Sequence, residues 1–295
     1  MNPLMYLVLE AVLLVSYKVG DSLWKRFTDR DIYYYRVAYC AVTTAFLTFV
    51  LIFLTLFSDP GERFDNMVLV NVMQAIVSLG LFMVLHRRVR WSEVKACLRS
   101  DRKYIAYAGL FFVGGMLFGA TAHEDIQDML ADQLDDLSEV SDLSEDRPLW
   151  QIGIFIFGNN TKTSILMGIM LPLIPLFGGM YIIFAMLLNG AIVGVLGPLL
   201  DKPITYLIVG IAPHGIFEIP AIIIAAAVGL KFNSRIMFGL LAVMRNRDQD
   251  SNQILKEYVS DAIGSWKLMY LVLFLLIIAA VVETTVTPYL LSMFK

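Results

Sequence analysis

Cysteine is scarce in this chain. There are two in 295 residues, Cys40 in an apolar run and Cys97 in a basic stretch. Two cysteines so placed supply neither a disulfide framework nor a thiolate metal cluster. Histidine is almost as rare, with His86, His123 and His214 making up the set of 3. Charged residues are 17% of the total, against about 25% in an average soluble domain. No HExxH, GxSxG, P-loop or paired-glutamate motif is present. The usual local signatures of zinc proteases, serine hydrolases and nucleotide-binding proteins are therefore missing. No charged leader with a small-residue cleavage site precedes the first apolar stretch, so no removable signal peptide is expected.

What the chain has instead is apolar length. Hydrophobic residues make up 58% and the mean hydropathy is +0.69, well above a soluble domain. A transmembrane helix needs about 20 apolar residues. Eight stretches are candidates: roughly 4–20, 33–57, 66–86, 104–122, 151–173, 177–199, 204–230 and 267–291. The first is short and carries Glu10 and Lys18, which also suits an interfacial helix. The fifth contains the polar run GNNTKTS at 158–164, which predicts an interfacial helix followed by a separate inserted segment. The expected fold is all-α, a polytopic transmembrane bundle of six to eight spans. An N-terminal membrane region over 1–100, with about three spans and a basic loop, would precede a membrane domain over 101–295.

Charge sets the expected orientation. Residues 18–36 hold five Lys/Arg, 87–103 seven and 231–267 six, whereas 123–147 holds ten Asp/Glu and one Arg. With eight crossings every basic loop falls on one side, which the positive-inside rule makes cytoplasmic. Both termini then face out, and the expected location is the cell membrane, multi-pass. If 4–20 does not cross, only the N-terminus moves. If 151–173 is re-entrant, the later spans invert.

The acidic segment 123–147 has its own pattern. Ile126, Met129, Leu130, Leu134, Leu137 and Val140 recur at helical spacing among Asp and Glu, so an amphipathic extracytoplasmic helix is expected. Such a helix lies on the bilayer or the protein's outer face, or offers a docking surface to an extracytoplasmic protein partner. Leu255, Tyr258, Val259, Ala262 and Ile263 similarly predict one face of a short helix within the loop 231–267. The lipid bilayer is the first partner implied, and nucleic acid is not expected.

Small residues recur where helices can touch. Gly115 and Gly119 in GMLFG, Gly190 and Gly194 in GAIVG, and Gly229 in AAAVG have the spacing that lets backbones approach closely. The expected use is packing within the bundle, with a homodimer as the weaker alternative.

Polar groups within apolar segments need partners, because a charge at the bilayer centre costs at least about 2.5–3.5 kcal/mol. The candidates are Asn160 with Asn159 and Lys162, Asn189, His214 and Glu218, Glu283, and the N-terminal Glu10 and Gln74. His214 and Glu218 are four apart and share a helix face. Pro213 either opens a helix at its first turn or, with Pro220, kinks a longer one. Three readings follow. The polar residues form a hydrogen-bonded network that fixes helix register. They line a path for a substrate or proton. Or His214, Glu218 and Glu283 bind a metal such as zinc, three protein ligands plus water being a catalytic arrangement. The sequon-like NNT at 159–161 is discounted for its membrane setting. His123, Glu124 and Asp125 read as a solvated helix end, and His86 as a membrane-boundary residue.

The run from IFIFGNNTKTS through LLNGAIVG and APHGIFEIP to VVETTVTPYL resembles the stage II sporulation protein M family over about residues 100–295. The resemblance marks Asn160, Asn189 with Gly190 and Gly194, His214 with Gly215, Glu218, Pro220 and Glu283. It implies a polytopic membrane architecture. It also implies a role like that of the sporulation member, an anchor for cell-wall hydrolases at the envelope. The expected function is accordingly a non-enzymatic envelope scaffold or anchor for partner proteins. A transporter using the His214/Glu218/Glu283 cluster is the alternative, and an intramembrane zinc hydrolase the third reading.

Overall fold

Inside a bilayer a backbone must satisfy its own N–H and C=O groups, which leaves helices as the natural form for runs this apolar. The computed structural model describes residues 71–123 (apart from 73, 77 and 84), 149–199, 204–245 and 251–293, and these are helical with short turns between. A short apolar helix, α1, covers Gln74–Met83. It is followed by α2 (Trp91–Ser100), α3 (Arg102–Thr121), α4 (Leu149–Ile165), α5 (Phe177–Leu199), α6 (Ile204–Arg245), α7 (Ser251–Gly264) and α8 (Leu268–Ser292). Among the described residues, four stretches are long and apolar enough to cross a membrane: Arg102–Thr121, Phe177–Leu196, Gly210–Arg245 and Glu257–Leu290. The candidate spans at 4–20 and 33–57, and most of the acidic segment 123–147, lie outside the described residues.

Two departures from the sequence reading matter for the site. First, α4 runs unbroken through the polar GNNTKTS stretch. Several of its polar side chains find partners without breaking the helix. Thr161 Oγ1 donates to the Gly158 carbonyl at 3.1 Å, Thr163 Oγ1 donates to Asn159 O, and Lys162 Nζ donates to Asn71 Oδ1. The break comes later, as a π-helical turn at Leu166–Met170 and a 3-10 turn at Leu171–Leu173. Leu176 then takes a positive φ of 64° before α5 begins. Second, α6 is one continuous helix of 42 residues with Pro213 and Pro220 inside it. It runs well past the end of its apolar stretch, so residues 231–245 are helix and not loop. The short helix expected within the loop 231–267 is there as α7.

Packing is tightest between α3 and α5. A Cβ on Gly115 or Gly119 would overlap the carbonyl oxygens of Leu187 or Ala191. A Cβ on Gly190 or Gly194 would overlap those of Phe112 or Met116. The two GxxxG faces therefore oppose each other within one chain, backbone against backbone. Gly229 plays the same part where α6 meets the π turn, since a Cβ there would overlap the Met167 carbonyl. The main core lies between α6 and α8, where Ala221, Ile224, Ala225 and Val228 pack with Met269, Val272, Leu273 and Leu276. Leu81, Leu85 and Val94 belong to the same core. Large apolar side chains such as Leu110, Leu117, Phe184 and Met180 point outward, as a lipid-facing surface requires.

Candidate functional site

Two polar layers lie at different heights in this bundle. The first is built on α6 and α8. His214 and Glu218 sit one turn apart on α6, between the two prolines. Each proline lacks the N–H that would bond the carbonyl four residues back. The carbonyls of Val209 and Ile216 are thus left without their helical donors on either side of His214. Glu283 comes from α8, and one ligand atom from each of His214, Glu218 and Glu283 lies within 4.8 Å of the others. Asn160 on α4 brings its side chain within hydrogen-bonding reach of the Glu218 carboxylate. His214 Nδ1 is buried and has no hydrogen-bond partner. Three helices distant in sequence thus deliver an imidazole, two carboxylates and an amide to one place. Such a group can coordinate a cation, relay a proton, or bind the helices to one another.

Asn189 does not join this group. Its Nδ2 donates to the Ala185 carbonyl one turn back at 2.7 Å, on its own helix. Gln74 likewise bonds locally, to Ser78 Oγ at 3.2 Å. His86 accepts or donates a bond with the Tyr270 hydroxyl at 2.9 Å and stacks among Phe82 and Tyr270, far from His214 in the chain. His123 bonds the Ala120 carbonyl at its own helix end.

The second layer was not foreseen from the sequence. Lys231 of α6 is buried and donates to Asp101, also buried, at 2.9 Å, and to Asp261 of α7 at 3.4 Å. Arg235 Nη2 meets Asp261 Oδ2 at 2.8 Å. Close by in sequence, Lys267 pairs with Glu93 of α2 at 2.7 Å. That contact, with the Arg90 backbone N–H, holds the Glu93 carboxyl below its ordinary range. Cys97, whose thiol donates to the Gly264 carbonyl, has its pKa raised, chiefly by burial. Lys231 reads in sequence as a loop charge because Gly229 resembles a helix end. The usable signal was the absence of Gly and Pro between Lys231 and Phe238.

Glu218 and Lys231 are thirteen positions apart on one helix, or roughly 20 Å at about 1.5 Å per residue. The ion-pair layer and the His214 group thus stand well apart along α6.

This is an integral helical membrane protein. A family model described as Stage II sporulation protein M matches residues 108–288, more than half of the chain. The chain belongs to the stage II sporulation protein M family. An uncharacterized protein of Methanocaldococcus jannaschii is 33% identical over 106 residues, 35% of this chain and 54% of that protein. The chain therefore spans about half the length of that curated relative. No solved structure matches the chain.

Proposed function

We propose that this protein is a multi-pass scaffold of the cell membrane that organises or anchors partner proteins at the envelope. In this reading it has six to eight spans, an N-terminal region over 1–100 and a family domain over 101–295. Its basic loops are cytoplasmic, and the acidic segment 123–147 meets an extracytoplasmic protein partner. The observation that supports the reading is the bracing of the frame. Glycine seams lock α3 to α5, and the Lys231–Asp101 and Lys267–Glu93 pairs brace α2 and α3 against α6 and α8. A frame braced in this way holds surfaces in fixed relation, which is what an anchor does. The glycine faces are occupied within the chain, so a homodimer would draw on other surfaces.

The test is cross-linking in intact membranes, with the captured proteins identified by mass spectrometry. Neutralising the acids of 123–147 to Asn and Gln should abolish a partner that wild type captures, in a protein that still inserts. Retention of every cross-link would sink the partner role of that segment. Transport is the second reading, favoured by the convergence of His214, Glu218 and Glu283. A folded Glu218→Gln protein that keeps its cross-links and loses flux of a proton or solute would select it.

A further inference from the structure

We propose that His214, Glu218 and Glu283 bind one divalent transition-metal ion of the zinc class, with Asn160 positioning Glu218. The inference goes beyond the scaffold reading and stands or falls separately from it.

The donor set is the first argument. Imidazole with carboxylates suits zinc and its first-row neighbours, whereas magnesium favours an all-oxygen octahedron that keeps much of its water. Ligand atoms held about 2.0–2.2 Å from a common zinc stand roughly 3.3–3.6 Å apart. The three here already lie within 4.8 Å of one another. Closing the set asks for shifts on the order of an ångström between ligand atoms.

Charge is the second argument. Two carboxylates facing each other in a low-dielectric interior repel, and each is expensive to keep there alone. A divalent ion cancels both at once, so the filled site is neutral. One glutamate would leave a net positive charge in the bundle and three a negative one.

The orphaned imidazole nitrogen is the third. Buried polar atoms are bonded in nearly all native structures, and each exception calls for a reason. His214 Nδ1 is such an exception, and among the described residues His214 is grouped with two carboxylates. His86 and His123 both have hydrogen-bond partners at their ring nitrogens. The amide of Asn160, within reach of Glu218, fills the supporting role that ligating carboxylates commonly require. A metal held in this way ties α4, α6 and α8 together well apart from the ion-pair layer.

The experiment uses the full chain, purified in detergent without a polyhistidine tag, stripped with chelator and reloaded with zinc alone. Zinc is then counted by mass spectrometry and thermal unfolding is followed by circular dichroism. About one zinc per chain is expected, with a higher Tm in the loaded protein. His214→Ala and Glu283→Gln should each lose the ion and its Tm shift while keeping wild-type helicity. Asn160→Ala should weaken zinc binding about tenfold. His123→Ala should keep the full complement. Should His214→Ala fail to fold, Glu283→Gln, nearly isosteric, decides the matter. Absence of uptake by the wild type would overturn the site, as would stoichiometric zinc retained by Glu283→Gln. Excess magnesium should leave the zinc in place, and displacement by magnesium would overturn the class assignment. Loss of cross-linked partners with zinc intact would refute the scaffold and leave the metal site standing.

Discussion

At the residue scale, Lys231 shows how a charge is kept inside such a molecule. Its ammonium is desolvated, so it depends on Asp101 directly. Lys231→Met should leave the buried Asp101 charge uncompensated and destabilise the protein by about 3–5 kcal/mol. Chemical unfolding in detergent measures this, and a loss under about 1 kcal/mol would show the pair to be dispensable. Cys97 offers a gentler check. Burial raises its thiol pKa, and the thiolate is the reactive form. Maleimide labelling at neutral pH should run slower on Cys97 than on a cysteine placed at exposed Arg99, and should speed up on unfolding. The i and i+4 spacing of His214 and Glu218 was legible in the sequence because one helix sets it. That Glu283 would meet them, and Asn189 would not, depends on how α8 and α5 are rotated, and no single-helix pattern carries that.

At the element scale, the seam between α3 and α5 makes a sharp prediction. Gly115→Ala and Gly190→Ala place a methyl group where a facing carbonyl sits, and backbone cannot move aside as a side chain can. Each should cost roughly 1–3 kcal/mol or splay the pair. Gly109→Ala on the same helix meets nothing within 4 Å and should be neutral or stabilising by up to about 1 kcal/mol. Equal effects at Gly109 and Gly115 would refute the close approach. The α2 to α8 brace adds a pH dependence. Glu93 titrates lower in the folded protein than unfolded, so its contribution is present above the unfolded carboxyl range and is lost as pH falls through the lowered value. Both side chains are partly exposed, so the contribution is about 0.2–1 kcal/mol. Glu93→Gln should cost about 0.2–1 kcal/mol near neutrality, cost nothing at low pH, and so flatten the acid-side slope. GxxxG spacing announced close contact before the structure did. The polar run in α4 misled, because hydropathy registers polarity and is blind to Thr side chains that bond their own helix and to a Lys that finds Asn71 on another segment.

At the scale of the whole molecule, sequence length and apolar content were enough for an all-helical membrane protein. They did not reveal how far α6 continues past its apolar stretch, because a buried Lys looks like the start of a loop until its Asp is found in another helix. The proposed orientation is open to direct measurement. Single cysteines at Lys95 and Gln253, in a Cys40→Ser and Cys97→Ser background, should be shielded from impermeant reagents in intact cells. A cysteine within 123–147 should react. The opposite pattern would invert the topology.

The length of α6 has a mechanical consequence. At about 1.5 Å per residue its 42 residues extend to roughly 63 Å, about twice the hydrocarbon thickness. One helix therefore carries both His214 and the Lys231–Arg235 anchor, so the two are joined through continuous helix. Torque applied by whatever grips Glu218 is passed along that helix toward Asp101 and Asp261, with no loop between Glu218 and Lys231 to absorb it.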